Sequence, residues 1–332
     1  MKFCFAADAL NDVQQHRQLD IILNTALDGW HEWKIDDPEI LEQSDWFQSS
    51  RQYVKDFFEK SVQREAYSAS SSLHKHCWFV TSQGDSSDTL APQAAVHYFT
   101  TPLRICVENE FTDRLFVDTV LSLLAFPELK EFFDQFAEGQ KKPVEYLHGG
   151  GTGELCKLIK RRVGETVAQG IRFRAVTVTD SDARFPGDQE RMKKALEIEE
   201  VCRNNDIPCI VLNRRTIENY IPDEVLQGWA DEPGNQAVIE LVNAVCSLTA
   251  EQRDHLPMKK KLPIDKKLAS EEVALYASIP AQQRDTLARS KFRDDLIHLF
   301  KTHKQYLTGD GLRRRDGKEE LDRIVAMIAE EL

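Results

Sequence analysis

From residue 103 onward, short apolar runs alternate with longer segments whose apolar residues recur every three or four positions, the order that builds a parallel sheet clothed by helices. The runs are Leu103–Val107, Val144–Leu147, Phe173–Thr179 and Pro208–Leu212. Between the first two, a helix capped by Thr112 is expected to bury Leu115, Phe116, Val120, Leu123 and Leu124 and to break at Pro127 before a second helical piece. A helix through Leu155, Ile159 and Val163 follows the second run. One from about Asp188, with Met192, Ala195, Leu196, Ile198 and Val201 on one face, follows the third. This pattern predicts an α/β fold: a doubly wound, parallel four-stranded sheet over residues 103–222, with right-handed crossovers placing every strand-end loop on one edge.

The flanks read differently. Residues 1–102 form an α+β region to which the sequence assigns no role, with helical periodicity over Gln14–Leu27 and Gln52–Val62 and strand-like runs at Cys77–Thr81 and Ala94–Phe99. Serine-rich stretches at Ser68–Ser72 and Ser82–Ser87 read as exposed turns. Residues 223–332 form a helical region, with segments near Gln236–Leu248, Glu271–Ala277, Arg293–His303 and Lys318–Glu331. No internal repeat is visible.

Composition narrows the class. The 332 residues, 41% hydrophobic and 30% charged, suffice for two or three domains. No stretch approaches the roughly 18 apolar residues of a membrane span, and the first residues lack the apolar core of a signal peptide, so a cytoplasmic location is expected. The seven cysteines are scattered without a C-x-x-C pair and read as reduced core residues. His74-Lys75-His76-Cys77 lacks a matching second pair and is read as a polar approach to a strand rather than a zinc site. A net charge of −12 excludes a nucleic-acid coat with a basic surface, but not an enzyme acting on nucleic acid through a metal site.

The chemistry concentrates at strand ends. Glu108 closes the first run, beside Glu110 and Asp113, and Asp180 and Asp182 close the third. If those strands are neighbours, the carboxylates converge, and like charges held together call for a divalent cation between them. Glu108, Asp180 and Asp182 are therefore the leading candidates for an oxygen-lined Mg²⁺ or Mn²⁺ site, with Asp113, Glu110 and Asp188 in reserve. The Gly149-Gly150-Gly151-Thr152-Gly153 turn is neither a Walker motif, since Glu154 stands where lysine is needed, nor G-x-G-x-x-G, since Cys156 takes the last glycine place. It reads as a tight turn that brings backbone near the active edge, with His148 a structural or substrate-facing residue. Arg214, Arg215 and Glu218 follow the fourth run, on the same edge, where arginines suit phosphate oxygens and Glu218 suits a metal or a base. The lysine-rich run Lys259–Lys267 offers Lys259, Lys260 and Lys261 to a nucleic-acid backbone, and Lys260 to a scissile phosphate.

Together, Val107-Glu108, the Gly149–Gly153 turn, Thr179-Asp180-Ser181-Asp182 and Arg215-Thr216-Ile217-Glu218-Asn219-Tyr220 resemble a TOPRIM domain, in particular nucleases of the overcoming-lysogenization-defect family and standalone TOPRIM effectors of bacterial anti-phage defence. The likeness covers roughly Leu103–Pro222. It implies Mg²⁺ or Mn²⁺ binding at Glu108, Asp180 and Asp182 and a role in anti-phage defence. The family usually has glycine directly after its first glutamate and a second acid four positions on. Here Asn109 and Thr112 stand in those places, so Asp113 is the shifted candidate for the second metal. The family's ATPase domain has no counterpart, which implies a separate ATPase subunit. The resulting expectation is a metal-dependent endonuclease of DNA or RNA, possible as a homo-oligomer. One ion would sit on Glu108 and Asp180, and a second would share Asp182 with Asp113 or Glu218. The rival expectations are a primase or topoisomerase, which the missing zinc ribbon and the unplaced Tyr276 and Tyr306 disfavour, and a non-catalytic metal-binding regulatory or scaffold subunit.

Overall fold

The computed structural model describes residues 1–67, 76–84, 88–137, 142–232, 234, 236–263, 269–292 and 294–332, without the side chains of 65–67. His74, Lys75, Ser68–Ser72, Lys266 and Lys267 lie outside the described residues. The chain is α/β, with two parallel four-stranded sheets.

The second sheet is the one the apolar runs predict. Its strands are β5 (Leu103–Val107), β6 (Val144–His148), β7 (Ala175–Thr179) and β8 (Cys209–Val211), in the order β6-β5-β7-β8. Central β5 and β7 are neighbours, with Ile105 opposite Val176. Side chains alternate between faces with the period of two that a strand imposes. Leu103, Ile105, Val107, Val176 and Val178 enter one core with the helix Thr112–Leu124 and much of the C-terminal region. Cys106 and Ala175 enter another with the helices Thr152–Val167 and Gln189–Arg203. Both faces are covered, as a parallel sheet requires.

The C-terminal helices do not form a unit of their own. Tyr276, Leu296, Ile297, Leu321, Ile324 and Ile328 belong to the same buried cluster as β5 and β7. The boundary expected at 222/223 is therefore no break in packing.

The N-terminal region departs furthest from expectation. It holds a complete sheet of β1 (Lys2–Phe5), β2 (Glu32–Trp33), β3 (Cys77–Val80) and β4 (Thr89–Leu90), all pairs parallel, in the order β2-β1-β3-β4. Ala94–Phe99, expected as a strand, lies within a helix, Pro92–Thr100, whose proline sits in its first turn. Its own core gathers Phe3, Phe5, Trp33, Trp46 and Phe99. Numbered in chain order within each sheet, both read 2-1-3-4.

Candidate functional site

The strand-end loops of β5 and β7 meet as the sequence requires. Glu108 follows β5, and its carboxylate crosses to the neighbouring strand: Oε1 accepts from the Thr179 hydroxyl (2.8 Å) and the Asp180 backbone N–H (3.2 Å). Oε2 accepts from the Thr152 hydroxyl at 2.8 Å. The glycine turn makes this possible, because Gly150 and Gly151 donate their N–H groups to the Glu108 carbonyl at 2.9 and 3.2 Å. Both take positive φ, 84° and 135°, and there the absence of a side chain matters.

Asp113 braces the same turn. Its Oδ2 accepts from the N–H groups of Glu108 and Asn109, each at 3.0 Å, and its Oδ1 from the Thr112 hydroxyl at 2.9 Å. Thr112, expected as the cap, is instead the first residue of the helix Thr112–Leu124, and Asn109 Oδ1 accepts from the N–H groups of Phe111 and Thr112 in the turn that leads into it.

Asp180 lies at the centre. Its Oδ1 accepts from the Ile217 N–H at 3.0 Å, which joins the β7 end to the loop after β8. Asp182, exposed, takes a left-handed backbone (φ 57°), and its N–H donates to the Arg215 carbonyl at 2.9 Å. On the short 3₁₀ turn Ile217–Tyr220, Glu218 is fully buried. Lys259 forms an ion pair with it, Nζ to Oε1 3.0 Å, yet no hydrogen bond of good geometry reaches either carboxylate oxygen among the described residues.

The electrostatics follow from burial. Desolvation raises the pKa of Glu108, with Asp113 and Asp182 adding repulsion while the hydroxyls of Thr179 and Thr152 oppose it. Desolvation likewise raises Asp113, with Glu218 contributing. Asp180 is raised well above the ordinary range by burial and then by Glu108, Asp113 and Glu218, with Lys259 pulling the other way. Lys259 is itself raised: burial would lower it, but Glu218, Asp180 and Asp113 overcome that. The site thus gathers more negative charge than one ammonium cancels.

Hard carboxylate oxygens in such a setting would fit Mg²⁺ or Mn²⁺, and at Glu218 only Oε1 has a cation beside it, Lys259 at 3.0 Å. Among the described residues no three His, Cys, Asp or Glu side chains stand as a closed ligand set. Ligation by Glu108 would require it to exchange a threonine hydroxyl for the ion.

Several expected participants are placed elsewhere. Arg214, expected on nucleic acid, is 3% exposed and wholly engaged inside the protein. Its guanidinium donates to Asp254 (2.8 Å) and Asp316 (3.2 Å) and to the carbonyls of Arg315 and Asp316, and lies 4.5 Å over the Tyr220 ring. It ties the β8 loop to the C-terminal helices. Half-buried Arg215 donates to the His255 carbonyl at 3.2 Å and feels the Asp182 charge. Lys260 and Lys261 are exposed, and it is Lys259, not Lys260, that reaches the carboxylates. Asp188 is committed to a bidentate pair with Arg184 and to capping the next helix, and Glu110 pairs with His148 at 3.1 Å on the surface. Comparison with family models, with curated proteins and with solved structures returned no match.

Proposed function

We propose that the protein is a divalent-metal-dependent phosphodiesterase of TOPRIM type that cuts DNA or RNA. The observation that carries this reading is the meeting of Glu108, Asp180 and Glu218, from three different strand-end loops, around a deficit of positive charge. Glu108, Asp180 and Asp182 would hold Mg²⁺ or Mn²⁺, with Glu218 the reserve ligand and Asp113 the brace of the Glu108 turn. A bound divalent ion supplies an acidified water as nucleophile and neutralises charge at the phosphorus. Lys259 stands beside the carboxylates and is held protonated by them, so it offers a fixed positive charge to a phosphate oxygen. Arg215, whose carbonyl accepts the Asp182 N–H, would steady the nucleic-acid backbone. The expected setting is anti-phage defence with a separate ATPase subunit, on the strength of the TOPRIM resemblance alone.

One observation favours a second reading, a non-catalytic metal-binding regulatory or scaffold subunit: Glu108 already has three donors and could serve only to join two loops. Incubating supercoiled plasmid or transfer RNA with the protein and Mn²⁺, with and without EDTA, separates the two. EDTA-sensitive cleavage lost in Asp180→Asn is expected, and its absence on both substrates would reject the nuclease reading.

A further inference from the structure

A cavity of about 430 Å³ lies where the helix Asp223–Ala230, the short helix Ala250–Asp254 and the helix Gly309–Asp316 meet. Small-molecule sites typically span roughly 300–1,000 Å³. Five cations line it: Arg214, Arg253, Arg314, Arg315 and Lys318. Four carboxylates oppose them, in two kinds. Asp254 and Asp316 are buried and committed: Asp254 Oδ1 accepts from both Arg214 and Arg315 at 2.8 Å, and Asp316 accepts from Arg214 and the Leu321 N–H. Asp223 and Glu224, 44% and 45% exposed, sit at the rim and pair with Arg253 and Arg314.

The arginines are not saturated. Arg253 and Arg315 are 7% and 8% exposed, and the buried Nε of each meets no acceptor among the described residues. Each Nε is itself sealed from solvent, so the cavity offers an anion the charge of these guanidiniums rather than a free N–H. The charge balance agrees: burial, then repulsion from Arg315 and Arg214, pushes Arg253 down to about 9.

We propose that this cavity binds a small phosphate-bearing anion, with Arg253 and Arg315 presenting their charge to phosphoryl oxygens and Arg314 and Lys318 closing over it from the rim. Paired guanidinium donors match phosphate oxygens in geometry as well as charge. The rim pairs made by Asp223 and Glu224 are solvent-exposed and so cheap to exchange for such a ligand. The cavity floor is tied to the strand-end loop, since Arg215 N–H donates to the Asp254 carbonyl and the Asn219 amide to that of Arg253.

The test is calorimetric titration of the full chain with inorganic pyrophosphate and with ATP, in EDTA so that metal-borne phosphate at the carboxylates contributes nothing. One-to-one saturable binding of at least one probe is expected. It should weaken at least tenfold in Arg314→Ala/Lys318→Ala, two exposed positions whose loss leaves the fold standing, and tighten in Asp223→Asn, which removes a competing carboxylate. Asp180→Asn should bind as the unaltered protein does, so failure of the nuclease reading leaves this result intact. Absence of saturable binding by both probes, or binding that the rim variant leaves unchanged, would overturn the proposal.

Discussion

The Glu108 carboxylate accepts the backbone N–H of Asp180 at 3.2 Å, so the acid at the end of one central strand is bonded to the residue carrying the acid of the next. Their separation is set by sheet geometry rather than by flexible side chains. Repulsion between the two charges is therefore built into the fold.

That repulsion predicts a split between activity and stability. Glu108→Gln and Asp180→Asn should each lower metal-dependent cleavage by at least the roughly 10–100-fold that loss of a group merely supporting a metal ligand costs. Neither should lower the melting temperature, because each removes a charge that burial already penalises. Plasmid cleavage in Mn²⁺ and scanning calorimetry on the same samples check both halves. Full cleavage by either variant would remove these residues from the site.

Lys259 is expected to matter for stability where its neighbours do not. Lys259→Met leaves the buried Glu218 carboxylate without its counter-charge, which should cost roughly 1–3 kcal/mol once the partial exposure of Lys259 is allowed for. Adding Glu218→Gln should recover most of it. Lys260→Ala and Lys261→Ala, on exposed side chains, should stay within about 0.5 kcal/mol. Urea unfolding of the four variants gives the comparison, and equal effects at all three lysines would contradict the pairing.

The glycine turn offers a steric test. A Cβ on Gly149 would lie 2.3 Å from the Leu155 backbone nitrogen, so Gly149→Ala must push the helix away and carry Thr152 off Glu108. A loss of roughly 1–3 kcal/mol is expected. At Gly153, inside the same helix, the nearest atom is Lys194 Nζ at 3.7 Å, and alanine there should stabilise by about 0.5–1 kcal/mol. Opposite signs in denaturant unfolding are the result to look for.

A pH dependence follows from Glu320, away from the carboxylate site. This residue is 1% exposed, accepts from the Asn213 N–H and the Tyr220 hydroxyl, and has its pKa raised by burial, with Asp316 adding. The folded chain therefore holds this proton more tightly than the unfolded chain does. Its contribution is fully present below the unfolded value of about 4.3 and is lost as pH rises through the folded value. Glu320→Gln should flatten the stability curve in that window. Unfolding free energies measured across it would show an unchanged slope if the side chain plays no such part.

The second sheet was legible because β5 and β7 are central: buried on both faces, they appear as short, largely apolar runs such as Ile105-Cys106-Val107. The first sheet was not, since β2 and β4 have two residues each, too few to display an alternation. Ala94–Phe99 resembles a strand because it is an apolar run interrupted only by His97, whereas Pro92 marks the start of the helix it belongs to. The acids were legible for the same reason as their strands. Which of three consecutive lysines turns inward, and whether Arg214 or Arg215 faces the cleft, depends on the path of the chain after β8 and on helices more than 40 residues downstream, where local patterning is silent.

The recurrence of one strand order in both sheets extends to a detail of wiring. In the first sheet Asp8, just past β1, accepts the backbone N–H of Ser82, just past β3, at 2.9 Å, as Glu108 does with Asp180. Counted from the ends of β3 and β7, the first half has Thr81 and Gln83 where Asp180 and Asp182 stand in the second. The chain thus carries its own internal control. Behaviour arising from topology alone is expected in both halves, whereas any response to a cation under the proposed metal-site reading is expected only in the second, and metal titration of each half's tryptophan or tyrosine signals tells them apart.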